Sequence, residues 1–261
     1  MTERVTTSAT KSVVGRATAV LDTFSASNRR QSLSGIARRS GLPLTTVHRL
    51  VHDLERESVL VRGADGSYEI ASKVWRWGTL ASVHTELREV ALPYMEDVYA
   101  LSHDAVQIAV LDGLRCLVVD RIAGSRTMAV VSKPGSRLPL HATGVGKVLL
   151  AYGSRELQDA VLISLDRYSP QTITDPELLR VQLREIKAVG FALTEAELMP
   201  GASSLAVPVR GRGGKVVAAL GVVAPRERAE LVRMAPVLRV TAAALSKQLV
   251  ASPLLASEAE S

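Results

Sequence analysis

The stretch LSGIARRSGLPLTTVHRL at residues 33–50 decides how the N-terminal part of the chain folds. A short helix of about Ser34–Ser40 is predicted to end at Gly41, which can adopt the left-handed conformation common at helix C-termini. Pro43 suits the first turn of the next helix, because its missing N–H costs nothing there. That second helix is expected to run to about Glu57. The two helices and their tight turn predict a helix-turn-helix.

The residues on either side extend this unit into a winged helix. A preceding helix is predicted to begin at Val13, with Ser12 as its N-cap. Two short strands, Leu60–Arg62 and Tyr68–Ile70, follow the second helix and are joined by the turn-rich residues 63–67. The order helix, helix, turn, helix, hairpin is that of a winged helix.

The helix beginning near Pro43 has one apolar and one polar face. Its predicted apolar stripe consists of Leu44, Val47, Leu50, Val51 and Leu54. Threonine hydroxyls can contact phosphates or thymine methyl groups, and arginine can contact guanine through two hydrogen bonds. The candidate DNA-contacting residues are Ser34, Arg38, Thr45, Thr46, His48, Arg49 and Arg62, with Arg39 as a further backbone contact. On spacing alone, a helical hairpin with a solvated basic face remains the alternative.

The charge distribution favours an anionic partner for this region. Residues 1–82 contain 12 lysines and arginines against 7 aspartates and glutamates, whereas residues 83–261 contain 20 against 19. Nearly all of the net charge of +6 therefore lies in the first third of the chain. Nucleic acid is the leading candidate partner and an acidic membrane surface is the alternative.

After residue 83 the pattern becomes that of a mixed α+β domain with a mostly antiparallel sheet. The predicted strands are Ala105–Leu111, Cys116–Ile122, Met128–Val131, 191–194, 203–209 and 216–223. The predicted helices are 86–101, 143–151, 155–164, 176–189 and 226–250. Asp112-Gly113 and Arg212-Gly213-Gly214 are turn signals between neighbouring strands. Trp75 and Trp77 precede this domain and are expected to pack at a contact between domains or subunits.

A second informative stretch, RLPLHATGVGKVLLA, lies at residues 137–151. Thr143 is a plausible N-cap, and Gly144 and Gly146 in the first turn could leave backbone N–H groups open to a carboxylate. Close packing of a helix on a sheet, permitted by the same glycines, explains the residues equally well. The GVGK string lacks the spacing of a phosphate-binding loop, so nucleotide binding is not expected there.

Both stretches resemble one family. GLPLTTVHRL, followed by Leu54 and the YEI strand, resembles the winged helix of the isocitrate-lyase-regulator (IclR) family of bacterial transcription regulators. RLPLHATGVGKVLLA and the later GFALTEAELMPGASSLAVPV, with Glu197 on a recurrent glutamate, are similar to the family's effector-domain motifs. The resemblance spans about residues 12–250. One departure is Ile70-Ala71, where the family usually has Leu-Gly.

The resemblance implies a recognition helix at Leu44–Glu57 and a GAF-like effector domain with a small-molecule pocket. Carried over by motif position, the residues expected to line the pocket are Leu138, Gly144, Val145, Thr194, Ser204, Gly221 and Val223. Gly221 and Val223 replace hydroxyl residues, which implies a more apolar pocket and a different ligand. Met128 could fill the pocket floor or belong to the core.

The predicted organisation has five parts. Residues 1–11 are expected to be a disordered tail, 12–71 the winged helix-turn-helix domain and 72–85 a helical linker. Residues 86–250 are expected to form the effector-binding and oligomerisation domain, and 251–261 a second tail. The expected partners are double-stranded operator DNA, a small organic effector such as an organic or aromatic acid, and further copies of the chain in a homodimer or homotetramer.

Other classes of protein are disfavoured. None of the five histidines has a serine or cysteine partner at a recognisable catalytic spacing, so no enzyme is predicted. His48 and His52 are four residues apart but have no evident third ligand, so neither a metal nor another cofactor is expected. No apolar stretch approaches the roughly 18 residues of a membrane span. The single cysteine, Cys116, suits a reducing compartment, and a cytoplasmic location is predicted.

Overall fold

The computed structural model describes residues 12–25, 28–80, 82–124, 132–225 and 228–251. The chain divides into two compact units, residues 1–82 and 83–261, which are described separately. The predicted tails at 1–11 and 252–261, and the predicted strand Met128–Val131, lie outside the described residues.

The N-terminal unit is a three-helix bundle with a two-stranded wing. Its elements are α1 (Val13–Leu21), α2 (Leu33–Ser40), α3 (Leu44–Arg56), β1 (Leu60–Arg62) and β2 (Tyr68–Ile70), followed by α4 (Ser72–Gly78). The predicted strands and their antiparallel pairing are confirmed, with Val61 opposite Glu69. The wing is tied to the start of α2 by two backbone hydrogen bonds between Gln31 and Tyr68.

Local capping explains where these helices begin and end. The Ser12 hydroxyl accepts a hydrogen bond from Gly15 N–H at 3.0 Å, so the predicted N-cap of α1 is confirmed. Gly41 ends α2 with φ of 68°, the left-handed conformation expected of it. Pro43 lies at the N-cap position, one residue before α3, and not in its first turn. The φ of −56° at Pro43 still directs the chain into the helix.

The C-terminal unit is built on a six-stranded antiparallel sheet, which confirms the predicted α+β class. Its strands are β3 (Ala105–Asp112), β4 (Arg115–Ile122), β5 (Arg137–Pro139), β6 (Ala192–Glu195), β7 (Ser203–Arg210) and β8 (Val216–Ala224). The order across the sheet is β5-β4-β3-β8-β7-β6. The helices are α5 (Ser82–Ser102), α6 (Gly144–Tyr152), α7 (Arg155–Leu162), α8 (Pro176–Val189), α9 (Arg228–Val232) and α10 (Ala235–Ala251).

Alternating side chains give this sheet two buried faces. Val106, Ile108 and Val110 on β3 face the core that α5, α9 and α10 cover. Ala109 points the other way, into a core shared with α6, α7 and α8. The face that carries α6 is the one that forms the candidate pocket.

Two elements differ from the sequence prediction. The single helix predicted at 226–250 is two helices in the described residues, α9 and α10. Pro236 explains the break, because its ring would clash with the carbonyl of residue 232 in a continuous helix. The three-residue strand β5 was not predicted, since it is too short to show alternation. Its Pro139 is tolerated because β5 lies at the edge of the sheet.

Candidate functional site

Helix α3 has one buried apolar face and one exposed polar face, as its sequence pattern predicts. Val47, Leu50 and Val51 are buried in the core of the N-terminal unit. On the other side, Thr45, His48 and Arg49 are exposed and Thr46 is half-buried. Leu44, which was placed in the apolar stripe, is 52% exposed because it is the first residue of the helix and lies beyond the core.

In the described residues, the positive charges on and around the N-terminal half of α3 are not paired with carboxylates. Within the described ranges, Arg38, Arg49 and Arg62 make no salt bridge, and all three are exposed. The acids of α3 lie nearer its C-terminal end, where Asp53 Oδ1 pairs with Arg56 at 3.2 Å. The first turns of α3 therefore present cationic and hydroxyl groups to an approaching anion.

Two neighbouring elements carry the remaining candidate DNA contacts. Ser34 lies in the first turn of α2, and its hydroxyl is 3.2 Å from that of Ser32. Arg62 lies on the wing, where its guanidinium carbon is 5.7 Å from the centre of the Tyr68 ring. Arg39 has an internal role, because it donates to Gln31 Oε1 at 3.1 Å and to Asn28 Oδ1 at 2.8 Å.

In the C-terminal unit, a hydrogen-bonded chain of hydroxyl groups lies at the N-terminus of α6. The hydroxyls of Thr194 and Ser204 are 2.6 Å apart, and Ser204 Oγ accepts from Gly144 N–H at 3.1 Å. Thr143 Oγ1 accepts from Gly146 N–H at 3.1 Å. The expectation that both glycine amides are uncovered is therefore wrong, because protein hydroxyls already satisfy them.

A small cavity opens beside this hydroxyl chain. It encloses about 30 Å³. Its lining residues are Gln107, Ser132, Leu138, Ala142, Thr143, Thr194, Leu198, Met199, Ala202, Ser204 and Val223. Four of the residues assigned to the pocket by motif position are among them, namely Leu138, Thr194, Ser204 and Val223. We refer to this space as the effector cavity.

The other three assigned residues lie behind the cavity wall, where α6 packs on the sheet. A Cβ on Gly221 would lie 3.0 Å from Val145 Cγ1, and one on Gly144 would lie 2.7 Å from Ser204 Oγ. Both glycines thus permit the close approach of α6 to β7 and β8. Met128, the candidate for the cavity floor, lies outside the described residues.

Two family models match this chain over both units. The model of the bacterial transcriptional regulator IclR C-terminal domain matches residues 79–247, and that of the IclR helix-turn-helix domain matches residues 13–63. The chain belongs to the IclR family. Its named relatives in this family are transcriptional regulators. This chain is likewise a transcriptional regulator and not an enzyme.

Relatives and solved structures extend this match over most of the chain. The regulator XynR of Escherichia coli is 28% identical over 90% of this chain and 96% of its own length. The glycerol operon regulatory protein of Streptomyces coelicolor is 30% identical over 82% and 84%, respectively. An IclR homologue from Microbacterium hydrocarbonoxydans, solved with 4-hydroxybenzoate, is 34% identical with a TM-score of 0.81 and covers 92% of this chain and 100% of its own.

Sequence reasoning missed a buried ion pair beside the cavity of this IclR-family regulator. Lys147 on α6 is 0% exposed, and its Nζ lies 2.5 and 2.6 Å from the two carboxylate oxygens of Glu197. Gln182 Oε1 accepts from the same ammonium at 2.6 Å. Burial lowers the pKa of Lys147, and the Glu197 carboxylate opposes that shift. The lysine was visible in the GVGK string, but its partner lies 50 residues away in sequence.

The cavity residues Gln107, Ser132, Leu198 and Met199 were also missed. Gln107 and Ser132 lie outside the two family motifs; Gln107 is flanked by Val106 and Ile108, and Ser132 by Val131 and Lys133. No pattern of charge or spacing singles them out, because their proximity arises only when β3 and the segment before β5 meet in the fold.

The described part of the chain contains no cluster of three metal-ligating side chains. Nor is any of its described helices long and apolar enough to cross a membrane.

We expect the Cys116 thiol to be unreactive in the folded protein. Cys116 is fully buried, and burial raises its pKa to about 11. Roughly one thiol in a thousand is then ionised at pH 8, and the thiolate is the reactive form. A disulfide reagent such as DTNB should label the native protein at least about 100-fold more slowly than a free thiol.

The same assay in guanidinium provides the control for Cys116. The unfolded chain should react at once with one equivalent of reagent. Rapid labelling of the native protein at pH 8 would show that β4 opens readily and would contradict this prediction.

Proposed function

We propose that this regulator binds operator DNA by placing α3 in the major groove. The observation that carries the proposal is the exposed set Thr45, His48 and Arg49, which has no carboxylate partner in the described residues. A helix anchored on one face and polar on the other fits the major groove, where base edges differ in their donors and acceptors. Arg49 is the candidate for a base contact, and half-buried Thr46 lies beside it.

The proposed phosphate contacts lie on either side of α3. Ser34 and Arg38 on α2 and Arg62 on the wing are exposed and can bind the DNA backbone. In this proposal residues 12–71 form the DNA-binding domain and 72–85 the linker, and residues 86–250 form the effector-binding and oligomerisation domain. The regulator acts in the cytoplasm, where its DNA partner lies.

Two copies are proposed to bind a pseudo-palindromic operator, as a homodimer or within a homotetramer. One small DNA-binding module gives modest affinity and specificity, so a second half-site is needed. Trp75 and Trp77 on α4 are 71% and 51% exposed, which makes them the candidate apolar contacts between copies.

The proposed effector is a small organic acid, with an aromatic acid as the leading class. The related regulator solved with 4-hydroxybenzoate supports this class. The effector cavity of about 30 Å³ must enlarge to admit such a molecule, since ligand pockets usually measure about 300–1,000 Å³. Binding therefore changes the C-terminal unit. By linkage, an effector that weakens operator binding must itself bind less tightly when operator is present.

The test is a binding measurement with duplex DNA from the region upstream of the protein's own gene. Arg49→Ala should lower operator affinity by about 1–3 kcal/mol if Arg49 contacts a base. Arg56→Ala is the matched control, because Arg56 lies on the same helix, is exposed and already pairs with Asp53. Fluorescence anisotropy of labelled duplex gives both affinities.

The salt dependence of the same measurement tests the general proposal. Operator affinity should fall steeply as salt concentration rises, because bound phosphates release their counterions. An affinity that is insensitive to salt would argue against DNA binding. Equal affinities of the wild type and Arg49→Ala would remove Arg49 from the interface.

A further inference from the structure

A cleft on the C-terminal unit, separate from the effector cavity, is lined by two arginines and by no carboxylate of the described residues. It lies between β7, α10 and the C-terminal ends of α6 and α8, and it encloses about 340 Å³. Its charged lining residues are Arg210, the last residue of β7, and Arg239 on α10. It shares no lining residue with the effector cavity, which lies at the other end of α6. We refer to it as the arginine cleft.

Arg210 is held in place at this cleft by neighbouring groups. Its guanidinium carbon lies 4.9 Å from the centre of the Tyr152 ring, and its Nη1 donates to Gly214 O at 2.8 Å. Its backbone N–H donates to Ser246 Oγ at 2.8 Å. Because a guanidinium has five N–H donors, most of those of Arg210 remain available to a ligand.

The side chain of Arg239 makes no hydrogen bond to any residue that the structure describes. Its guanidinium lies beside Gly190, where a Cβ would be 3.8 Å from the central carbon. Neither Arg239 nor Arg210 forms an ion pair in the described ranges. No described carboxylate therefore neutralises the two charges that line the cleft.

A neighbouring cleft adds positive charge to the same surface. It encloses about 310 Å³ and meets the arginine cleft where α6 and α8 end. Its charged lining residues are all cationic, namely Arg155, Arg180, Arg184 and Lys187. Residues 83–261 contain 20 lysines and arginines against 19 aspartates and glutamates, so this excess is local to one surface. A cleft lined by one sign of charge concentrates ligands of the opposite sign.

The floor of the arginine cleft is apolar, which favours a small organic molecule over a DNA backbone. Val207 on β7 and Ala242 on α10 line it and are buried, and the Tyr152 ring forms part of its wall. Contacts to a DNA backbone are made to phosphate and sugar and need no apolar floor. Ligand pockets of about 300–1,000 Å³ combine an apolar lining with a few charged groups, and this cleft matches that description.

We propose that the arginine cleft is a second ligand site, which binds a small organic phosphate. A phosphate monoester carries a charge of roughly −1.5 to −2 at pH 7 and has three acceptor oxygens. One such group can therefore accept hydrogen bonds from both guanidiniums and neutralise both charges. Its carbon part lies on Val207 and Ala242. This inference goes beyond the proposed function, which assigns neither operator nor effector to this surface.

The first experiment compares phenyl phosphate with benzenesulfonate by calorimetry at constant ionic strength. Both molecules carry a tetrahedral group with three oxygens on a benzene ring, but the sulfonate has a single negative charge. The wild type should bind phenyl phosphate at least about tenfold more tightly, because the second charge strengthens the hydrogen bonds from both arginines.

A pair of variants at Ala243 tests the charge of the cleft without removing an arginine. Ala243 lines the cleft on α10 and is exposed, so a longer side chain there leaves the core intact. Ala243→Glu and Ala243→Gln are of equal size, but only the glutamate repels an anion. Ala243→Glu should bind phenyl phosphate at least about tenfold more weakly than Ala243→Gln.

Arg239→Gln removes one of the two proposed contacts and should weaken phenyl phosphate binding at least about tenfold. Arg233→Gln is the matched control, because Arg233 is exposed between α9 and α10 and lines neither cleft. Both variants change the net charge by the same amount. Since salt screens distant exposed charges, Arg233→Gln should change the affinity less than about twofold.

Four binding results would overturn the inference. They are no binding of phenyl phosphate to the wild type at about 10 mM, equal affinities for the phosphate and the sulfonate, equal affinities of the two Ala243 variants, and equal losses in Arg239→Gln and Arg233→Gln. None of these measurements uses DNA, so their failure leaves the proposed operator binding standing.

Two further measurements distinguish a small ligand from other occupants of this surface. Arg239→Gln should leave the salt dependence of operator binding and the molar mass of the protein, measured by light scattering, unchanged. A slope of log affinity against log salt reduced by about 1 would show that this surface binds DNA. A lower molar mass would show that it is an interface between copies of the chain. Either result would overturn the inference.

Discussion

Glu197→Ala is expected to lower the free energy of unfolding by about 3–5 kcal/mol, because it leaves the buried Lys147 ammonium without its counter-charge. The Lys147 side chain is 0% exposed and that of Glu197 is 6% exposed, so the pair is shielded from the bulk water that stabilises an unpaired charge at the surface. Among the residues that the structure describes, only Gln182 Oε1 would remain as a partner of the ammonium. Urea unfolding followed by far-UV circular dichroism measures the loss, since both tryptophans lie in α4 and do not report on this unit.

An exposed ion pair of similar length gives the control. Arg137 Nε and Asp112 Oδ2 are 2.7 Å apart, but their side chains are 57% and 44% exposed. Asp112→Ala should therefore cost less than about 1 kcal/mol. Replacing both buried partners, as in Lys147→Met with Glu197→Gln, should recover most of the stability lost in Glu197→Ala. A loss in Glu197→Ala no larger than in the control would refute the buried-pair account.

The same ion pair anchors one wall of the effector cavity. Glu197 is followed by Leu198 and Met199, which line that cavity. The backbone of this segment is held by a hydrogen bond from Ala196 N–H to Ala202 O at 2.9 Å. Breaking the pair removes one of the contacts that hold this segment, so Glu197→Ala should also weaken effector binding.

Gly146→Ala is expected to destabilise the C-terminal unit by about 3 kcal/mol, the upper range for overpacking a core. A Cβ at this position would lie 2.7 Å from both the Cα and the O of Leu140. These are backbone atoms that cannot rotate away, and the segment around them is held by β5 and by the Thr143 cap. The clash outweighs the helix propensity of alanine, which alone would favour the substitution by about 1 kcal/mol.

Gly78→Ala is the matched control for this prediction. Gly78 lies in α4, and a Cβ there would meet nothing within 4 Å. Alanine should thus be neutral or stabilising by up to about 1 kcal/mol. The two variants are compared by thermal unfolding at one protein concentration. A Gly146→Ala protein as stable as Gly78→Ala would show that α6 can shift away from Leu140.

Local patterns in the sequence were enough to predict most of the elements. The apolar period of α3, the hairpin of β1 and β2 and the helix predicted at 176–189, which is α8, all arise from neighbouring residues. Position 236 shows a limit of this reasoning. A proline in the first turn of a helix and a proline that breaks a longer helix look alike in sequence, and only the observed ends of α9 and α10 distinguish them.

The sequence by itself determined the family, the winged helix and the polar face of α3, because these depend on side chains within a few residues of one another. Only the tertiary structure decided what surrounds the cavity. It brought Glu197 to Lys147 and placed Arg121 opposite Gln107. It also paired the backbone amides in the first turn of α6 with the hydroxyls of Ser204 and Thr143 through hydrogen bonds. Each of these pairings except the one with Thr143 joins residues from separate elements. Their partners are set by strand register and helix packing, which no local spacing encodes.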